Sequence, residues 1–356
     1  MARVADYLSS VAFYWPMVSA QDFQHIAPLH ELDASFNNTV KHVQNETVMG
    51  ERPAHYAVRM VEVIAGSRER LRACPPLSVL ICTIAPLGQD KEGIEGAMVL
   101  AEAGIPVGFM SMPNMGSTAP MQAGGALVMG NAEVVSAMAL MQLVAPGAPV
   151  FHSILASLMD PRTAEYIAGI PEKFLCNAAA VHLAHDWGVP ALAGAFGMDC
   201  ADPASWQLGR DSVYTALLAP LAGAEMVTGG GLLAASTLLM PEQIIFDDEI
   251  YHMHRRLLEG IDTGAGGLAL DVLAAVGPGG HFLAQPHTRQ QARTQWIPTL
   301  THPRPAPDGK PLPDIQAQAK AELNRILAEH QPEPLPEEAQ GELRAILDAA
   351  ARELAA

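Results

Sequence analysis

Seven short, largely apolar runs recur along the chain at intervals wide enough for a helix. They are VAFYWP (11–16), VKHVQN (40–45), SVLICTI (78–84), VGFMSM (107–112), VFHSIL (150–155), ALAGAFG (191–197) and EMVTGG (225–230). A parallel strand buried on both faces has this character, because helices cover the sheet on either side. Between the runs lie amphipathic stretches such as KEGIEGAMVLAEAG and PEKFLCNAAAVHLAHDWG. Each ends on the glycine that closes a helix before the next strand. The alternation predicts an α/β fold. No Gly-rich phosphate turn follows the first strand, so seven βα units point to a (β/α)8 TIM-like barrel over residues 1–300 rather than to a doubly wound sheet. HFLAQ (281–285) is the nearby candidate for the eighth strand. THPRPAPDGKPLPD (301–314) reads as a proline-rich linker. Residues 315–356 read as two charged amphipathic helices forming a C-terminal helical appendage.

With 49% hydrophobic and 17% charged residues in 356, the chain has the means to bury a large core. Its net charge of -17 repels phosphate backbones and anionic headgroups, so neither nucleic acid nor a membrane surface is an expected partner. No apolar run is expected to span a bilayer. The first residues, MARVADYLSSVAFYW, lack a small-residue cleavage pattern, which predicts a cytoplasmic protein. Cys74, Cys82, Cys176 and Cys200 form no CxxC pair. They are expected to be buried, reduced thiols, with no tightly bound metal.

In a barrel, chemistry gathers at the C-terminal ends of the strands. Those ends carry Tyr14 and Trp15; His42, Asn45 and Glu46; Asn114, Ser117 and Thr118; His152; Phe196, Gly197 and Asp199; and Gly229 and Gly230. Because side chains alternate across a strand, only about half of such positions face the lumen. Several standard mechanisms find little support. No G-x-S-x-G elbow is present for a serine hydrolase. A metal-dependent hydrolase would draw on His42, His152 and Asp199, and a glycosidase would pair Glu46 with Asp199. The run Gly229–Gly231 suits a close backbone approach to a ligand.

Longer motifs narrow the choice. GSTAPMQAGGALVMGNAEVV (116–135), LVAPGAPVFHS (143–153), LAGAEMVTGGGLL (221–233), EQIIFDDEI (242–250) and GPGGHFLAQPHT (277–288) resemble the trimethylamine methyltransferase family. The resemblance runs over almost the whole chain. It implies a barrel that takes a methyl group from a methylated amine and passes it to the cobalt of a corrinoid (cobalamin) carried by a cognate partner protein. Family members usually carry a further segment before the first strand. The founding enzymes use pyrrolysine, whereas this chain contains ordinary residues only, so it resembles the branch for which glycine betaine or a similar quaternary amine is the expected donor. The stretch 277–288 resembles the family's segment joining the last helices to the barrel, with His281 and His287 serving either structure or the site.

A quaternary ammonium has no N–H to donate and is best held by aromatic faces and a carboxylate. Tyr14, Trp15 and Phe196 are the candidate faces, with Glu46 or Asp199 as counter-charge. A betaine carboxylate needs donors, for which Asn45, Asn114, Ser117, Thr118, His152 and the amides of Gly229 and Gly230 are candidates, the 114–118 loop first. His42 completes the expected polar rim. The competing class is a non-catalytic barrel that binds betaine-like cations. A homo-oligomer is left open.

Overall fold

The computed structural model describes residues 1–196, 199–203, 205–301 and 314–354. All seven apolar runs contain strands: β1 (Phe13–Tyr14), β2 (His42–Asn45), β3 (Leu77–Cys82), β4 (Val107–Ser111), β5 (Val150–Ile154), β6 (Ala191–Ala195) and β7 (Met226–Thr228). They form one curled, seven-stranded sheet in sequence order, parallel throughout. Gly197, at the end of the sixth run, lies outside the described residues, as does 302–313 of the proline-rich stretch.

Side-chain alternation divides the sheet into two apolar faces. Val43, Val79, Ile81, Val107, Phe109 and Ile154 point outward into the main core beneath the helices. Trp15, Leu80, Met110, Phe151 and Leu192 fill the inside of the curl, edged by Met17, Cys82, Leu155 and Met226. Helices α2 (Ala27–Phe36), α3 (Glu51–Ala65), α4 (Lys91–Ala103), α5 (Ala123–Val144), α6 (Pro171–Asp186) and α7 (Trp206–Leu221) are crossovers between successive strands. The arrangement of strands and crossovers is compatible with a TIM-like barrel.

The eighth strand expected at 281–285 is not formed. His281–Gln285 is an exposed turn ahead of a short helix, and its glycines, prolines and polar neighbours give it no buried face. Among the described residues no strand joins β7 to β1. Helices fill that side instead. α1 (Ala2–Tyr7) and α8 (Gln243–Leu258) meet the tail helix Ile315–Glu329 through Val4, Leu8, Ile244, Ile245, Phe246, Ala319, Leu323 and Ile326. The other tail helix, Glu337–Leu354, lies against α3 and buries Leu343, Ile346, Leu347 and Ala350.

Two further expectations are corrected. α5, with 22 residues and a mean hydropathy of 1.5, is long and apolar enough to cross a membrane by those measures. In this fold it is the crossover from β4 to β5, and its buried Glu133 accepts hydrogen bonds from Thr83 Oγ1 (2.6 Å), Ser111 Oγ (2.7 Å) and the Leu87 amide (2.7 Å). Of the four free thiols only Cys176 and Cys200 are buried, while Cys74 is exposed because it ends a short surface helix.

Inside the curl, Gly108 stands in register with Leu80 on one side and Phe151 on the other. A Cβ at Gly108 would sit 2.0 Å from the Phe151 ring, so the glycine makes room for that ring in the lumen. Gly108→Ala is expected to cost about 1–3 kcal/mol through overpacking. Urea unfolding at neutral pH, with an unchanged slope and a lowered midpoint, is the measurement that checks it.

Candidate active site

The unpaired edges of β1 and β7 border a cavity of about 410 Å³. Because β1 is an edge strand, residues from both of its faces reach it: Phe13, Tyr14 and Trp15 line one side. Phe196, Thr228, Gly229 and Gly230 line the other, and Asp247, Asp248, Tyr251 and His254 of α8 close it. The three aromatics nominated from sequence, Tyr14, Trp15 and Phe196, are thus brought together with Gly229 and Gly230. Gly229 sits at φ +85°, and a Cβ there would lie 3.0 Å from the Phe196 carbonyl oxygen, so the close turn after β7 requires glycine.

Inside the curl lie buried polar atoms without partners, two of them in the cavity lining. Trp15 Nε1, Gln44 Oε1, Ser153 Oγ and Thr228 Oγ1 are all buried and make no hydrogen bond within the chain. Trp15 and Thr228 line the cavity itself. Gln44 and Ser153 fall on the inward side of their strands by alternation with Glu46 and Phe151. Unsatisfied buried donors and acceptors cost about 1–3 kcal/mol each, so their accumulation on one interior face marks a place for a polar ligand or water.

Acidic groups flank this interior. Glu31 of α2 is buried and accepts from the Ala20 amide (3.0 Å) and from Thr47 Oγ1. Burial, reinforced by the Glu31 charge, pushes the Tyr14 hydroxyl up to about 12 and raises the Glu46 carboxyl. Burial and then the Glu46 charge push the Cys82 thiol up to about 12. Glu31 and Glu46 therefore place negative charge within electrostatic reach of Tyr14 and of the inward-facing Cys82.

The other nominated residues are placed differently. His42 starts β2, and its ring nitrogens contact the Pro75 carbonyl oxygen (3.1 Å) and Ser78 Oγ (2.8 Å), away from the C-terminal rim. His152 lies on the outward face of β5, where its Nε2 meets Asn131 Oδ1 of α5 at 3.0 Å. Burial depresses its pKa to about 4. Asn45 Oδ1 accepts from the Thr47 and Val48 amides and shapes the turn after β2. In the 114–118 loop, the Asn114 carbonyl accepts from the Ser117, Thr118 and Ala119 amides, and Thr118 Oγ1 accepts from the Asn114 amide, so these groups hold the loop together and lie outside the cavity lining. The Asp199 carboxylate accepts from the Ala168 and Gly169 amides at 2.7–2.9 Å. His42, His152 and Asp199 do not converge. Among the described residues no cluster of three or more His, Cys, Asp or Glu is placed to hold a metal ion. His281 and His287 lie in the exposed segment beyond α8.

The trimethylamine methyltransferase (MTTB) family profile matches residues 3–355. The chain belongs to this family. Trimethylamine methyltransferase MttB of Desulfitobacterium hafniense is 31% identical over 98% of this chain and 70% of its own length. Trimethylamine methyltransferase MttB of Methanosarcina barkeri is 30% identical over 98% of this chain and 71% of its own. A glycine betaine methyltransferase of D. hafniense is 33% identical over 84% of this chain and 63% of its own.

In this trimethylamine methyltransferase family member, sequence reasoning missed Glu31, Lys173, Asp211 and Asp247. Lys173, only 3% exposed, is pulled down to about 8 by burial, an effect opposed by the nearby charges of Asp199 and Asp211. It sits in the first turn of α6 beside Phe174, and a lysine with Asn177 four residues on, on a helix face that continues through Val181 and Ala184, was the legible signal. Asp247 accepts from the Gly231 amide (2.7 Å) and from Gln243 Nε2 (2.8 Å). Burial outweighs both donors and raises its pKa from 3.8 to about 7. The folded state thus keeps a proton that the unfolded chain releases. Asp247 adds stability that is complete below pH 3.8 and is lost as pH rises through about 7. Each unit is worth about 1.4 kcal/mol. Asp247→Asn is expected to flatten the fall in stability across this window, as read by urea unfolding at a series of pH values; an unchanged slope against pH would remove Asp247 as its source.

Proposed function

We propose that the protein is a methyltransferase that moves a methyl group from a quaternary or tertiary methylated amine, of glycine betaine type, to the cobalt of a corrinoid on a cognate partner protein in the cytoplasm. The observation that carries this reading is the cavity that joins Tyr14, Trp15 and Phe196, with Glu31 and Glu46 supplying negative charge nearby. Aromatic faces and carboxylates hold an onium group that offers no N–H. The relatives include enzymes named for trimethylamine and for glycine betaine, which lends the donor class independent support.

The unpartnered donors Trp15 Nε1, Ser153 Oγ and Thr228 Oγ1 suit the carboxylate of a betaine. The free residues thus fit the donor, and the corrinoid is assigned to the partner, where it supplies the nucleophile. This chain's part is to bind the cation, exclude water and point one methyl group outward. The C–N bond breaks with its electron pair remaining on nitrogen, so a quaternary donor leaves as a neutral amine and requires no protonation. Burial keeps Tyr14 and Cys82 neutral, which suits a site without an obligatory acid.

The test is a panel of methylated amines incubated with reduced cobalamin, with formation of methylcobalamin followed by its visible spectrum. A quaternary donor is expected to be demethylated, with activity absent when the corrinoid is left oxidised. Trp15→Ala and Phe196→Ala are each expected to weaken donor binding by about 2- to 30-fold, the range of a cation–π contact of about 0.5–2 kcal/mol. Binding of a tert-butyl isostere, followed by calorimetry, should be hardly affected by the same changes. Equal losses for charged and uncharged ligands would mean that the aromatics only fill space, and failure of every methylated amine would sink the assignment.

A further inference from the structure

From Arg255 to Thr299 no residue of the chain is buried. The segment leaves the C-terminal end of α8, forms three short helices, α9 (Ala265–Leu268), α10 (Leu270–Val276) and α11 (Pro286–Gln291), and returns to the same helix. There the Glu249 carboxylate accepts from the amides of Thr299, Leu300 and Thr301 at 2.7–2.9 Å. The result is an arm rooted at both ends on α8. Helices this short are not stable in water by themselves, since isolated helices under about 12 residues are marginal. The arm also leaves Ile261 88%, Leu270 63%, Leu273 51%, Phe282 42% and Leu283 86% exposed. An ordered segment with no buried residue recovers little of its conformational entropy from its own chain.

Charge identifies what covers it. Residues 260–298 hold two acids, Asp262 and Asp271, against Arg289 and Arg293, so the arm is neutral and the whole net charge of -17 belongs to the rest of the chain. The distal half, 277–298, carries both arginines with His281 and His287 and contains no carboxylate. An apolar arm with a basic tip is complementary to the acidic body of this same chain. We infer that the arm docks on a second copy, each protomer covering its partner's arm across a closed, symmetric interface. The apolar side chains supply the contact and the arginines meet the partner's acidic surface, which also offsets repulsion between two strongly negative bodies.

Light scattering of the full chain at micromolar concentration is expected to give a mass about twofold that of one chain, or a larger closed multiple. The triple change Leu270→Asp, Leu273→Asp and Phe282→Asp is expected to return it to a single chain, with circular dichroism unchanged because all three side chains are exposed, and with an unfolding midpoint that no longer depends on protein concentration. Hydrogen exchange of the unaltered protein provides the second readout: arm amides are expected to be protected at high concentration and to exchange freely on dilution. A wild-type monomer overturns the inference, as does an oligomer that the triple variant preserves or an arm whose exchange is indifferent to concentration. Protection that appears only on adding a corrinoid protein would overturn it in favour of that other occupant.

Discussion

The unpaired edges of β1 and β7 govern much of what surrounds them. A closed ring would satisfy every backbone group between strands; here, among the described residues, no strand pairs the free edge of β1 or that of β7. Open edges must be covered, and the chain covers them with apolar helix surface, using Val4 and Leu8 from α1, Ile244–Phe246 from α8 and Leu323 and Ile326 from the tail. Helices cannot fill a strand-sized slot as closely as a strand does, and the space left over is the cavity that holds Tyr14, Trp15 and Phe196. The far ends of the sequence are therefore tied to the candidate site. Val4 and Ile326 meet across α8, so the N-terminal helix and the tail both support the wall formed by Asp247 and Tyr251.

The strands were legible because burial on both faces leaves a strong mark: VGFMSM and ALAGAFG admit no surface strand. HFLAQ misled because its apolar pair, Phe282 and Leu283, looks like a strand fragment, yet Gly279 and Gly280 before it and Pro286 after it leave no room for a ladder. The apolar length of α5 was equally hard to read, since small residues such as Gly124, Gly125 and Gly130 interrupt it without ending it.

The site was only half legible, for a geometric reason. A one-residue shift in register exchanges the inward and outward faces, and sequence does not fix that choice. His152 and Ser153 are adjacent, yet the histidine bonds Asn131 in the helical layer while the serine faces the lumen with no partner. Residues beside polar turns drew nomination for the wrong cause: Thr118 is polar because its hydroxyl accepts from the Asn114 amide, and Asn114 holds the turn through its backbone carbonyl rather than its side chain. Glu31 and Asp247 escaped because they act from helices rather than from strand ends: Glu31 from the crossover between β1 and β2, and Asp247 from α8, far in sequence from β1.

The electrostatics of the interior bear on a hazard that any methyl donor brings. A cysteine thiolate beside an activated methyl group would compete for it, because the thiolate and not the thiol is the nucleophile. Cys82 faces the lumen, and both burial and the Glu46 charge hold its proton on, to about 12. Glu46, one of the carboxylates that favour a cation in the cavity, thus also suppresses the thiol edging its core. An arginine or lysine in place of Glu46 would reverse both effects together, repelling an onium donor while easing ionisation of the thiol. For the proposed chemistry, the acidity around β1–β3 accordingly acts on selectivity twice: it chooses the charge of the guest, and it leaves the transferable methyl group to an acceptor from outside the chain.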